Sequence, residues 1–178
     1  MIEKWIDVAE YCKKHRDYSD CVAITCAMNN YIITGLSLTM KEVKKQTKII
    51  RNKLNEFCNC EGNYKNLRNE IKNLKNNEFY IPYLGIILKD IAFFEENGKY
   101  ILNGNMINCE KIEKIQESMD NFFKFKYSEA KPIETIEELS FFGKLEAISE
   151  DELDKLGQKL EPVFKLSRTQ KKTKRYTN

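Results

Sequence analysis

Pro82 and Gly98 bracket the stretch that most limits how this chain can fold. Proline disfavours helix for the residue before it, so no helix runs through Ile81. From Leu84 to Glu96 apolar residues recur at helical spacing. Asn97-Gly98 then supplies a stop, because both residues tolerate left-handed backbone angles. A helix of about three turns is framed. One stripe, Leu84, Ile87, Leu88, Ile91 and Phe94, is expected to face a core. A second line, Gly85, Lys89, Ala92 and Glu96, is small and polar and ends in an acid. Over that line a partner is expected to approach closely at Gly85 and Ala92 and to meet a carboxylate at Glu96.

The three-and-four spacing of amphipathic helices recurs along most of the chain. Ile2, Trp5, Ile6, Ala9 and Cys12 mark a first helix, with His15, the only histidine, at its end. Asp17 to Asp20 offer N-caps for a helix from Cys21 to Met28, closed by Asn29-Asn30. Val43, Thr47, Ile50, Leu54 and Phe57 predict a longer helix introduced by Thr39. Gly62-Asn63 marks a turn before a helix from Tyr64 to Leu74. Asn103-Gly104-Asn105 reads as a loop, after which Asn108 caps a helix carrying Ile112, Ile115, Met119 and Phe122. Pro132 breaks the chain, and Ser149-Glu150-Asp151-Glu152 is a capping box for a helix ending near Leu160. No alternating run long enough for a strand is present, so the expected fold is all-α, helix packed on helix.

Composition narrows the function. With 178 residues the chain is one domain or most of one, and 42% hydrophobic with 32% charged residues suits a globular protein. No apolar run approaches the ~20 residues of a membrane span, and the N-terminus lacks a signal-peptide pattern. Of the six cysteines, Cys12, Cys21 and Cys26 sit among apolar residues as small hydrophobes. Cys58-Asn59-Cys60 has no second pair and no nearby histidine, so neither metal nor cofactor is expected, and the thiols are expected to be reduced. The net charge is +3, but five basic residues of it lie in a tail, 168–178, and the rest is mildly acidic. That balance argues against a nucleic-acid-binding domain and leaves the tail as a solvated end, or as a transient contact with a membrane surface or a nucleic acid. A single histidine, with no Gly-rich phosphate loop, gives little support to a hydrolase or metal enzyme.

Ile81-Pro82-Tyr83-Leu84-Gly85-Ile86-Ile87-Leu88-Lys89-Asp90-Ile91-Ala92-Phe93-Phe94-Glu95-Glu96-Asn97-Gly98 resembles the helical-hairpin segment of the Ras guanine nucleotide exchange factor catalytic domain. The family pattern runs I-P-F-L-G-x-x-L-x-D-L-x-F-x-E-E-x-N. Ile2 to Cys12 is similar to I-E-K-F-I-x-I-A-x-x-C, and Ala23 to Asn29 to A-I-x-x-A/G-L/M-N. Asn63 to Arg68 resembles N-Y-K-N-Y-R, Ile107 to Lys111 resembles I-N-F-x-K, and Leu160-Glu161-Pro162 resembles a closing I-E-P. The blocks keep the family's order and near-family spacing.

The resemblance implies an irregular all-helical bundle or bowl with a protruding helical hairpin. It implies a domain over 1–167, lacking the family's first helices, followed by the basic tail 168–178. The implied function is a guanine nucleotide exchange factor. Such a regulator performs no covalent chemistry: it promotes GDP release from a Ras-family small GTPase by inserting the hairpin at the switch and nucleotide site. Asn29, Ala92 and Glu96 take the catalytic positions. Ala92 crowds the magnesium site, and Glu96 replaces the hydrogen bonds and charge of a phosphate. Val22, Cys26, Tyr64, Tyr83 and Lys89 are placed against the GTPase, with Asn29, Tyr64 and Tyr83 holding an aromatic residue of its second switch. The implied location is the cytoplasm, with recruitment to a membrane left open. Lys89 stands where the family commonly has Thr, Gly35 where it has Arg, Met40 where it has Trp, and Val163 where it has Arg. Two other readings stay open: a degenerate, non-catalytic GTPase-binding module, and a helical scaffold unrelated to GTPases.

Overall fold

Helix α1 (Ile2–Lys14) turns Ile6 and Ala9 inward, following its apolar spacing. The computed structural model describes residues 1–75, 78–102, 104–123 and 143–161. Among these the fold is all-α, and extended pairing is confined to two isolated bridges. The side chain of Phe122, Pro132, Val163 and the 168–178 tail lie outside the described residues. His15 caps α1 at the surface, its Nδ1 2.9 Å from the Tyr11 carbonyl and its ring stacked on Tyr11.

Helix α2 (Tyr18–Met28) begins at Tyr18 rather than Cys21, because Asp17 is the N-cap and accepts the Asp20 amide at 3.0 Å. Two short helices follow, α3 (Tyr31–Gly35) and α4 (Ser37–Glu42). The helix expected from Thr39 onward is divided. Val43 is extended, with φ −61° and ψ 130°, and ends α4; Lys44 then starts α5 (Lys45–Phe57). The break has a physical cause. Val43 is still buried, and the Lys44 amide donates to Glu3 Oε1 at 2.7 Å, which ties the junction to α1. α6 (Lys65–Lys72) is followed by α7 (Leu84–Glu96), α8 (Cys109–Phe123) and α9 (Glu150–Leu160). The capping box at Ser149 and Glu152 is formed, with the Glu152 amide 3.3 Å from Ser149 Oγ.

α1 packs on α2 and α5, α5 on α6, and α9 on α3. Ile6, Ala9, Tyr18, Cys21, Val22, Leu54, Phe57, Cys58, Leu67 and Ile86 form the core. All six cysteines are free thiols. Cys58 belongs to the core whereas Cys60 is exposed, so the C-x-C pair does not share an environment.

The link into α7 is fastened to the corner between α1 and α2. Arg16 has φ 62°, and its carbonyl accepts the Ile81 amide at 2.9 Å. The Tyr18 amide returns a bond to the Ile81 carbonyl at 3.0 Å, and Arg16 pairs with Glu78 at 2.7 Å. Pro82 and Tyr83 leave this corner in a fixed direction, and α7 starts at Leu84.

Only Ile86 of α7 is fully buried. The stripe expected to face the core is therefore displaced: Leu84 and Leu88 are 47% and 55% exposed. The helix meets the bundle near its first turns and otherwise packs on α8. A cleft of about 820 Å³ between α6, α7 and α8 runs beneath Ile87 and Asp90. α8 shows a similar shift, with Lys111 buried while Ile112 and Met119 are exposed.

Candidate functional site

The backbone at Asn63 and Tyr64 is left-handed, with φ 52° and 55°. For a bulky residue such as tyrosine this costs about 1–3 kcal/mol and persists only when neighbours enforce it. Here the Tyr64 amide bonds the Asn59 carbonyl at 3.0 Å, and Arg68 Nε donates to the Asn63 carbonyl at 2.9 Å. The turn aims the Tyr64 ring at Tyr83, with centroids 5.5 Å apart and tilted. Burial, followed by a hydrogen bond with Tyr83, pushes the Tyr64 phenol above its ordinary value, so it stays a neutral hydroxyl.

Arg68 also reaches α7. Its two terminal nitrogens grip both Asp90 oxygens at 2.7 Å, a bidentate fork that holds α6 against α7. Sequence reading missed this pair, although both residues stand inside the quoted blocks. It also treated Gly85 as a place where a partner draws near. Instead, the Tyr83 ring occupies that space: a Cβ built on Gly85 would lie 2.5 Å from Tyr83 Cζ. Glycine at 85 makes room for an aromatic two residues earlier.

Lys89 follows on the exposed side of α7, its Nζ 6.0 Å from the centroid of the Tyr64 ring. Tyr64, Tyr83 and Lys89 thus form one aromatic and cationic group. Asn29, at the end of α2, is exposed but held. Its Nδ2 donates to Asn55 Oδ1 at 2.7 Å, and its Oδ1 accepts from Arg51 at 3.1 Å. Arg51 also donates to the Met28 carbonyl at 3.0 Å. Arg51 and Asn55 were not anticipated, yet their i, i+4 spacing places both on one face of α5. Cys26 is exposed, and the thiols of Cys60 and Cys26 lie close enough to raise the Tyr64 phenol a little further. Val22 is the correction in this set. At 1% exposure it belongs to the core and presents nothing to a visitor.

Ala92 and Glu96 are both exposed, one turn apart toward the far end of α7. That end is well secured. Lys111, from the first turn of α8, is 6% exposed and donates to the Glu95 carbonyl at 2.9 Å and the Gly98 carbonyl at 3.0 Å. Its ammonium also lies 4.1 Å from the Tyr100 ring centroid, and Tyr100 donates its hydroxyl to Glu95. A cation on the last carbonyls suits both the unpaired groups and the dipole of a helix C-terminus. Gly98 adopts the left-handed angle expected, φ 81°, but Asn97 does not. Asn97 stays extended and bonds the Phe93 carbonyl with its side chain at 2.7 Å. Among the described residues no group of three or more His, Cys, Asp or Glu could hold a metal ion. No described helix is long and apolar enough to cross a membrane.

The family model of the RasGEF domain matches residues 1–113. The chain belongs to the RasGEF domain family. Among its relatives, Ras-specific guanine nucleotide-releasing factor 2 of Mus musculus is 33% identical over 162 residues, 90% of this chain and 14% of that protein. Ras-specific guanine nucleotide-releasing factor 1 of Homo sapiens is 35% identical over 125 residues, 70% of this chain and 10% of that protein. Ras guanine nucleotide exchange factor K of Dictyostelium discoideum is 30% identical over 128 residues, 72% of this chain and 8% of that protein. The chain therefore spans a small part of the length of the relatives it matches.

Within this RasGEF domain the family match takes in α1 to α7 and the start of α8. α7, the Lys111 fastening and the Tyr64–Tyr83 pair lie inside it, whereas most of α8 lies beyond it. Glu161, at the end of α9, lies beyond the family match but has a clear part in the fold. Its carboxylate accepts the Leu38 amide at 2.9 Å and the Thr39 amide and hydroxyl at 2.7 Å each, closing the N-terminal end of α4.

Proposed function

We propose that this chain is a guanine nucleotide exchange factor for a Ras-family small GTPase, acting through the α7–α8 hairpin. The exposed pair Ala92 and Glu96, on a helix secured at both ends within a RasGEF domain, is the observation that supports this reading most. Ala92 offers a magnesium ion no ligand, and Glu96 supplies a carboxylate where the GTPase's phosphate-binding amides lose their ligand. Tyr64, Tyr83 and the fixed amide of Asn29 present aromatic surface with polar anchor points to the second switch. Cys26 adds a small apolar contact. No bond is made or broken. The domain binds the nucleotide-free GTPase best and so shifts the population toward it.

In this reading residues 1–167 act as the exchange unit and 168–178 as a separate basic segment able to touch an anionic membrane surface from the cytoplasm. The test is release of a fluorescent guanine nucleotide from loaded GTPases, with this chain added. Faster release that Glu96→Ala abolishes, while both proteins give the same circular dichroism, supports exchange. Complex formation with release left at the intrinsic rate would instead mark a non-catalytic binding module. Absence of any complex across a GTPase panel would leave a helical scaffold.

A further inference from the structure

Lys89 carries a charge that the fold leaves uncommitted, at the edge of the proposed contact surface. Among the described residues it forms no ion pair. Its nearest carboxylate along the helix, Asp90, has both oxygens taken by Arg68. Glu95 and Glu96 are six and seven residues on, a rise of about 9–10.5 Å, out of reach of direct pairing. Among the described residues its ammonium faces the Tyr64 ring, at 6.0 Å, the outer limit of cation–π attraction. That contact leaves the ammonium beside the Tyr64 ring, which itself packs on Tyr83, without neutralising it. A surface that seats on those two rings has to meet the charge.

We propose that Lys89 is a specificity-determining residue that selects a GTPase presenting an acidic side chain against the Tyr64–Tyr83 pair. The inference rests on the exchange-factor reading and adds the chemistry of the partner. A carboxylate there gains an ion pair sheltered by two aromatic rings, whereas a lysine or arginine there meets like charge. Such complementarity acts on encounter rate and on discrimination between partners more than on the fold, because Lys89 is exposed.

The test is a double-mutant cycle on binding to the nucleotide-free GTPase, backed by nucleotide release. The chain is used as wild type, Lys89→Thr and Lys89→Glu. On the GTPase, each acidic residue of the second switch is changed in turn to lysine. Lys89→Glu is expected to weaken binding at least tenfold and Lys89→Thr a few-fold. One acid-to-lysine change on the GTPase is expected to weaken the wild-type complex and to restore binding by Lys89→Glu. The association rate of the wild type should also fall more steeply with added salt than that of Lys89→Thr. Wild-type binding with no rescue by any acid reversal, or full-strength binding by Lys89→Glu, overturns this inference alone. Failure of the wild type to bind any GTPase overturns the exchange-factor reading and the inference together.

Discussion

The Tyr83 ring lies across Gly85, so close that a methyl group at position 85 would stand 2.5 Å from Cζ and 2.6 Å from Oη. The obstructed atoms are the far end of a side chain, so the ring rather than the backbone has to yield. Gly85→Ala is therefore expected to fold normally, helped by about 1 kcal/mol of helix propensity. It should nonetheless move Tyr83 away from Tyr64. Thermal melting should stay within a few degrees of wild type while GTPase binding drops about as far as it does in Tyr83→Ala.

Lys111→Met removes the ammonium that donates to both the Glu95 and the Gly98 carbonyls. Methionine fills much of the same volume, so the loss is chiefly polar. Leaving these partly buried acceptors without a partner should cost about 1–3 kcal/mol. The cost should be local. Amide hydrogen exchange is expected to quicken at residues 95–100 and stay unchanged in α1 and α2, and nucleotide release should slow with it.

The fork between Arg68 and Asp90 should behave as a coupled pair. The two side chains are 30% and 27% exposed. Arg68→Ala and Asp90→Ala are each expected to destabilise by about 1–2 kcal/mol, with a coupling of about 1 kcal/mol in the double mutant. Urea unfolding of the four proteins checks this. Equal additivity of the two single effects would show that the fork contributes nothing beyond its parts.

Glu161 makes one junction of the fold acid-sensitive. Burial alone would push its carboxyl upward, but the bonds from the Leu38 and Thr39 amides and the Thr39 hydroxyl outweigh that and hold it below the usual range. A carboxyl depressed in the folded state stabilises fully above its unfolded pKa, near 4.3 for glutamate, and loses that contribution as pH falls through the folded value. Acid unfolding of the wild type should begin with faster exchange at the Leu38 and Thr39 amides. Glu161→Gln should be less stable at neutral pH and show a flatter dependence as pH falls through and below the ordinary glutamate range.

The elements that could be read in advance were those set by neighbours in sequence. The Ile2–Cys12 periodicity, the Asn108 cap and the Ser149–Glu152 box depend on residues three or four apart, and each appears in the fold. Which face a helix buries was harder to see. α7 carries apolar residues around most of its circumference, so the choice of Ile86 over Leu84 and Leu88 comes from the Arg16–Ile81 corner that sets its direction. The family resemblance places Val22 among the contact residues, whereas its burial depends on how α2 packs on α1 and α5. The Asn29–Arg51–Asn55 group joins residues more than 20 apart. No local pattern announces it. Gly85 was noticed for the right reason, close approach, but the approaching group is the chain's own tyrosine.

Because the bundle grips α7 through Ile86 and the Arg68–Asp90 fork while its far end is tied to α8, the α7–α8 pair behaves as a lever whose fulcrum lies far from its working tip. Ten residues separate Ile86 from Glu96, an arm of about 15 Å. A swing of about 5° at the root carries the Glu96 carboxylate by about 1.3 Å on such an arm, enough to make or lose a hydrogen bond. Substitutions around the root, at Ile86, Arg16 or Ile81, can thus tune where the acid arrives without touching the residues proposed to meet a GTPase.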